Sequence, residues 1–383
     1  MRHISRLAIY DCVVPTVEDQ IVKYAIIGSG MMGLEHIRNL CEIPNTQIVA
    51  VCDPHTPSLE NARRALNRVE GVRYFANFKD LLANCIADVV VIATPNHTHA
   101  DIASEVLRTG KHLLIEKPLC TTVSDCMKLI SLQTEVGFEK QVVWVGLEYR
   151  YMAPTARVLQ EVDKGTVGKV KMVSIREHRY PFLEKVDDWN RFNVNTGGTL
   201  VEKCCHFFDL MCLIAKSRPI SVMASGSQDV NHLNEKYDGK VPDILDNAFV
   251  IVNFENGVRG LLDLCMFAEA SKNEQEISVV GDKGKIEAMI SESIVRIGKR
   301  KDGYGSFQEI PIKIDQNVVK GFHHGASYVE HMQLQNAVRD GRSAEVGLQE
   351  GLWSVAIGQA AHKSIDEGRV VFISEVMNSE AMS

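Results

Sequence analysis

Short apolar runs alternate with amphipathic stretches over the first part of the chain. Residues 23–27, 47–53, 71–75, 87–93 and 112–116 are rich in Val, Ile and Leu or bounded by Gly, Pro, Asn and Asp, the pattern of strands. Between them, residues 34–42, 57–69, 78–82 and 99–109 carry apolar positions at helical spacing. Strands that are apolar almost throughout have both faces covered, so this half predicts a doubly wound parallel sheet between layers of helices. Near residue 148 the pattern changes. Apolar runs at 247–254 and 258–267 meet through Asn256-Gly257, a hairpin signal, and a second hairpin is expected across Gly281-Asp282-Lys283-Gly284. With helices expected over 153–163, 204–215, 327–338 and 348–367, the second half reads as α/β with a largely antiparallel sheet. The expected organisation is an extension at 1–20, a first domain at 21–147 and a second at 148–383.

At 383 residues, with 45% apolar and 24% charged positions, the chain has the balance of a globular protein. Its net charge of −7 and the lack of an apolar run of about 18 residues argue against nucleic-acid and membrane partners. The ten cysteines, Cys12 to Cys265, form no C-x-x-C pair and no zinc-type spacing, so no metal is expected and most thiols should be buried in a reducing compartment. Residues 1–6 are mildly basic, but Asp11, Glu18 and Asp19 interrupt any secretory or transit pattern, and a cytoplasmic location is expected.

Four segments carry candidate chemistry. Gly28-Ser29-Gly30-Met31-Met32-Gly33 follows a strand and opens a helix, and Asp53 ends the next strand. In that context Gly28 permits a tight turn, Gly30 lets backbone approach a pyrophosphate, and Gly33 allows close helix packing, which predicts dinucleotide binding. An acid at position 53 accepts from ribose hydroxyls and repels a 2′-phosphate, so NAD is favoured over NADP, with Arg63 and Arg64 as the counter-argument. Thr94-Pro95-Asn96-His97-Thr98-His99 and Glu116-Lys117-Pro118 end two further strands, where ligands of open α/β sheets bind. There Lys117 reads as a held ammonium facing the cleft, with proline as its brace. Finally, if the segment after Gly197-Gly198 is one helix, Glu202, His206 and Asp209 share a face. That face is either a structural polar stripe or a proton-exchanging histidine flanked by carboxylates.

Together these segments resemble the Gfo/Idh/MocA superfamily of glucose–fructose oxidoreductase, inositol 2-dehydrogenase and rhizopine-catabolism proteins, from Val22 to about Phe372. The resemblance implies a Rossmann domain, a C-terminal α/β domain with an open, mostly antiparallel sheet, and homodimers or homotetramers packed through that sheet. It places catalytic roles on Lys117 and His206, with Glu202 where many members have Asp and Lys203 as a further departure. It puts Arg150, at the start of the second domain, near nicotinamide or substrate. The cofactor contacts it implies are the Gly28–Gly33 loop, Asp53, Thr94, Pro95, Asn96, His99, Glu116 and Lys117. The expected reaction moves a hydride between nicotinamide and a carbinol carbon of a sugar or cyclitol, with His206 as base, Lys117 on the same oxygen and Asp209 on a neighbouring hydroxyl. Asp188, Trp189, Asn190, Arg191, His178 and Tyr180 are further candidate substrate contacts, and the charged tract 231–246 is a candidate cover for the site or a subunit contact. The alternatives are a glycosidase-like enzyme that oxidises transiently, a non-catalytic NAD-binding regulator, and a reductase of an imine or enal.

Overall fold

The computed structural model describes residues 21–313, 321 and 323–378, so the expected extension at 1–20, with Cys12, lies outside the described residues. The first half builds β1 (Val22–Ile27), α1 (Met31–Glu42), β2 (Thr46–Cys52), α2 (Thr56–Ala65), β3 (Arg73–Phe75), α3 (Phe78–Asn84), β4 (Val89–Ile92), α4 (His99–Leu107), β5 (His112–Glu116), α5 (Val123–Val136) and β6 (Val143–Gly146). These strands form one sheet in the order β3-β2-β1-β4-β5-β6, with every pair parallel. The apolar strands are buried on both faces, as in β4, whose four residues are all inside. The order reverses between β1 and β4, and the crevice beyond the carboxyl ends of these two strands is where such sheets bind ligands.

The second half builds α6 (Ala153–Asp163), β7 (Val170–His178), α7 (Asn193–Thr196), α8 (Thr199–Glu202), α9 (Cys205–Ala215), β8 (Pro219–Ser227), β9 (Asn247–Phe254), β10 (Arg259–Cys265), β11 (Gln275–Gly281), β12 (Gly284–Met289), β13 (Ile294–Lys299), β14 (Gln308–Pro311), α10 (Ala326–Asp340), α11 (Leu348–Glu367), β15 (Val371–Phe372) and α12 (Ile373–Met377). Its nine-stranded sheet runs β14-β13-β12-β11-β7-β10-β9-β8-β15. Only β7 and β10 pair in parallel; the other neighbours are antiparallel, including both expected hairpins, β9–β10 and β11–β12.

Alternation along β9 and β10 puts Val250, Val252, Leu262 and Leu264 into the core under α9 and α11, and leaves the opposite face bare. Met223, Phe249, Ile251 and Leu261 are exposed there, with Ile251 directly between Met223 and Leu261 in register. Among the described residues the cysteines are free thiols: Cys52, Cys85, Cys120, Cys126, Cys204 and Cys205 are buried, whereas Cys41 is exposed. No helix of the described residues is long and apolar enough to cross a membrane.

One local expectation is overturned. The helix does not run unbroken through Glu202, His206 and Asp209: α8 ends at Glu202, Lys203 and Cys204 form the turn, and α9 begins at Cys205. The three side chains therefore do not share a helical face.

Candidate active site

A cleft of about 990 Å³ opens at the switch point of the parallel sheet. Its floor is the turn from β1 into α1. Gly28 there has φ of +92°, and a Cβ would come within 2.5 Å of Ala93 O, so only glycine fits. A Cβ on Gly33 would overlap the Gly28 carbonyl oxygen, which is how closely α1 packs on the turn, while Gly30 faces open space. Gly28, Ser29, Gly30, Met31 and Met32 line the cleft, and Gly33 supports them from beneath.

Asp53 stands at the end of β2 on the same wall. Its Oδ2 accepts from Ser29 N at 2.7 Å and Ser29 Oγ at 3.1 Å, and its Oδ1 accepts from His55 N at 2.8 Å. The carboxylate is thus fixed and 8% exposed. Arg63 is spent elsewhere, with its guanidinium over the Tyr74 ring and Nε 3.2 Å from Glu60. Thr94, Pro95, Asn96 and Glu116 form the opposite wall, and Asn96 Nδ2 is buried without a partner.

His99 does not line the cleft. It is buried beneath it, between the two wall loops, with Nδ1 2.9 Å from Pro118 O and Nε2 3.1 Å from Thr94 O.

Lys117 lies at the inner end of the cleft, and the Lys117–Pro118 bond is cis. Its Nζ donates to the Glu202 carbonyl oxygen at 3.3 Å. Burial disfavours the ammonium, but Cys205, Glu202, Glu116 and Glu148 around it outweigh burial and leave its pKa above the usual lysine value. Glu116 is anchored by His36 Nε2 at 2.9 Å and accepts from Lys117 N at 3.1 Å. Glu202 also lines the cleft; its Oε2 has no partner, and burial raises its pKa.

His206 sits one layer deeper, 1% exposed, with its ring stacked on Tyr149 at 3.8 Å and 6°. Burial first, then the Lys117 ammonium, pushes its pKa well below the usual histidine value, so the imidazole is neutral. Its neighbouring carboxylate is Glu148, 3.9 Å from Nδ1, and not Glu202 as the helical spacing predicts. Lys203, without a role from sequence, gains one here: its Nζ lies 2.8 Å from the buried Glu177 and donates to Tyr149 OH at 2.7 Å, bracing the ring that stacks on His206.

Two expected substrate ligands face each other and not the cleft. Arg150 and Asp209 do not reach the cleft; Arg150 Nε and Nη2 donate to Asp209 Oδ2 and Oδ1 at 2.6 and 2.5 Å, and both side chains are buried. Each satisfies the other's charge.

Of the weaker candidates, only Trp189 lines the cleft, edge-on to His97 at 6.5 Å. His178 pairs with Asp263, Tyr180 lies under Arg179, Asn190 donates to Leu183 O, and Asp188 is 3.7 Å from Arg191. The charged tract braces this region: Asp243 accepts from Asn193 N at 2.7 Å and Glu235 lies 3.5 Å from Arg191.

Sequence reasoning missed Lys185, which lines the inner cleft and whose pKa burial lowers to about 8. A lone lysine in a loop carries no motif. It also missed Glu148 and His323 as neighbours of His206; Glu148 adjoins Tyr149 and Arg150 in a segment that spacing marks only for its arginine.

Residues 22–146 match the oxidoreductase family, NAD-binding Rossmann fold, and residues 160–373 match the oxidoreductase family, C-terminal alpha/beta domain. The chain is 26% identical over 361 residues to myo-inositol 2-dehydrogenase of Thermotoga maritima, covering 93% of this chain and 100% of that protein. It is 26% identical over 360 residues to inositol 2-dehydrogenase of Rhizobium meliloti, covering 92% and 99%. Levoglucosan dehydrogenase, solved with NADH and levoglucosan, shares the fold at a TM-score of 0.81 and 19% identity, over 92% of this chain and 100% of that one. The aldose-aldose oxidoreductase of Caulobacter crescentus, solved with glycerol, does so at 0.75 and 21%, over 92% and 100%. With both domain models matched in order across the cleft and the sheet behind it, the chain belongs to the Gfo/Idh/MocA oxidoreductase family.

Proposed function

We propose that this protein is an NAD-dependent dehydrogenase of a carbinol group on a sugar, cyclitol or sugar derivative. One observation carries the reading: the cleft that begins at the Gly28–Met32 turn and Asp53 ends at Lys117 and Glu202, with a neutral His206 behind them. The open face of Gly30, the anchored Asp53 and the unpartnered Asn96 Nδ2 fit a dinucleotide, which those residues would hold with Thr94, Pro95 and Glu116. A bound nicotinamide supplies the hydride chemistry.

The chain's own residues handle the proton and the oxygen. Lys117 donates to the carbinol oxygen and stabilises its developing charge. His206 is the base: with Nδ1 on the Glu148 side, Nε2 is the nitrogen that takes the hydroxyl proton. Glu202 and Lys185 complete the polar inner wall for neighbouring hydroxyls, and Trp189 offers an aromatic face.

The test is nicotinamide absorbance with NAD or NADP against cyclitols, aldoses, polyols and glycosides. Reduction with one class establishes the dehydrogenase and names its substrate group. Silence from every class, with NADH still bound, transfers the reading to a regulator, and glycoside turnover without net reduction transfers it to transient oxidation. NAD should be preferred over NADP by about 100-fold in kcat/KM, because a 2′-phosphate meets the fixed Asp53 charge. Asp53→Asn should narrow that ratio to about tenfold or less, mainly through KM for NAD. An unchanged ratio removes Asp53 from cofactor selection.

The bare sheet face supports a homo-oligomer formed by a second copy, since an apolar stripe of Met223, Ile251 and Leu261 is costly in water. Light scattering after size exclusion should give a multiple of 42.7 kDa for the wild type, and 42.7 kDa for Ile251→Asp. The free, mostly buried thiols support a reducing compartment, the cytoplasm.

A further inference from the structure

Behind Lys117 lies a row of polar side chains. His206 Nδ1 is 3.9 Å from Glu148 Oε2, Glu148 Oε1 is 3.2 Å from His323 Nδ1, and His323 Nδ1 is 3.9 Å from Glu35 Oε1. The His206 and Glu148 side chains are each 1% exposed and that of His323 is 16% exposed, so the row leads from the buried centre towards the surface. Both Glu148 oxygens, His206 Nδ1 and His323 Nδ1 lack an aligned hydrogen-bond partner. Unpaired buried polar atoms are costly, and these converge on one another. Catalytic hydrogen bonds are commonly long before substrate tightens them.

We infer that Glu148 is a positioning residue that sets the tautomer of His206 and buffers its proton, with His323 as the outlet to solvent. The inference rests on His206 being the base proposed above.

The surroundings favour a row that is neutral at rest. Burial, then Glu116, raise Glu148 well above the usual carboxylate range, with Glu35 adding to this and Lys117 opposing it. Burial, then Lys117, Lys203, His323 and Arg179, hold His206 low. Burial and Lys203 bring His323 down to about 3, Lys117 and Arg179 adding to them and Glu116 opposing. Once the separations of 3.9 and 3.2 Å tighten, one proton per link would give each of these atoms a partner: His206 Nδ1–H would donate to Glu148 Oε2, and Glu148 Oε1–H to His323 Nδ1. That arrangement leaves the lone pair on His206 Nε2, where a base needs it.

When Nε2 takes the carbinol proton, the Oε1–H bond of Glu148 breaks and an N–H bond forms at His323 Nδ1. A carboxylate now faces the new imidazolium, and His323 releases a proton to water from its exposed edge. Only protons move along the row; the electron pair leaves the substrate with the hydride. When His206 later loses its proton to water in the cleft, His323 regains one from solvent and returns one to Glu148.

Two variants separate positioning from proton movement. Glu148→Gln keeps an acceptor for His206 and a donor for His323 but cannot give up a proton; Glu148→Leu loses both. The first readout needs no turnover: nitrogen-15 NMR of the histidine rings in the resting protein. The expected result is the Nδ1–H tautomer of His206 in wild type and Glu148→Gln, and its loss in Glu148→Leu. The second is the pH profile on a substrate found above. Glu148→Gln should lower kcat by about 10- to 100-fold with KM for NAD unchanged. Its acid limb should move down by about one pH unit, because the imidazolium no longer gains a carboxylate partner. An Nε2–H tautomer in the wild type overturns the inference, as does Glu148→Gln with wild-type kcat and an unmoved limb. If no substrate is turned over, the proposed function fails while the tautomer still decides this point. If the Glu148 variants do not fold, the wild-type tautomer and a kcat loss of about fivefold in His323→Gln decide it.

Discussion

Lys117→Met should lower kcat by roughly a thousandfold, the scale of losing one preorganised donor to a developing oxyanion, while the Kd for NADH stays within about threefold. Methionine keeps the length and apolar stem of lysine but removes the ammonium, whose hydrogen bond to the Glu202 carbonyl is modest at 3.3 Å. The cofactor turn and Asp53 do not depend on it, since they are held by Ser29, His55 and the packing of Gly33. The ammonium also sets the charges around it. It depresses His206 and lowers Glu202 against burial, so its loss should raise the pKa of both. The checks are steady-state rates, NADH fluorescence titration and the imidazole titration of His206. Turnover within tenfold of wild type would reject Lys117 as the donor, and loss of NADH binding would make it a cofactor ligand first.

The cofactor half of this site is legible in the sequence because its chemistry is local. A strand, a glycine turn, a helix and an acid after the next strand form one covalently continuous unit, and Gly28, Gly33 and Asp53 have the packing that their spacing implies. The β9–β10 hairpin is legible for the same reason, since the strands meet through Asn256-Gly257; the bare face is not, because Phe249, Ile251 and Leu261 on it are as apolar as the core positions between them. The inner half, around Lys117 and His206, is assembled from segments far apart in the chain. Helical spacing paired His206 with Glu202, four residues away, but the turn at Lys203 and Cys204 rotates one from the other and brings in Glu148 instead. His323, Lys185 and Glu148 meet this region only through the tertiary fold, and no short spacing encodes such a meeting. Polarity alone also did not foresee the partner of Asp209: a carboxylate three residues after His206 reads as a ligand, and only the fold brings the Arg150 guanidinium against it.

Asp209→Ala is accordingly expected to act on stability and not on substrate affinity. Removing the carboxylate strands the Arg150 guanidinium in the interior, with Glu345 O at 3.4 Å as a distant acceptor. Breaking a buried pair from one side costs about 3–5 kcal/mol, against about 0–1 kcal/mol for an exposed pair such as Lys128–Asp125. For a chain of this size that is a fall in Tm of roughly 5 °C, measurable by calorimetry or a denaturant melt. Arg150→Met with Asp209→Leu should recover most of the loss, because two apolar side chains of similar volume leave no charge to solvate. Kinetics separates this from the ligand reading. A substrate-binding Asp209 would raise KM at unchanged Tm, whereas a structural one lowers Tm and leaves KM of the folded fraction near wild type at low temperature. A Tm loss below about 2 °C together with a tenfold rise in KM would restore Asp209 to the substrate site and require the cleft to extend past His206 when occupied.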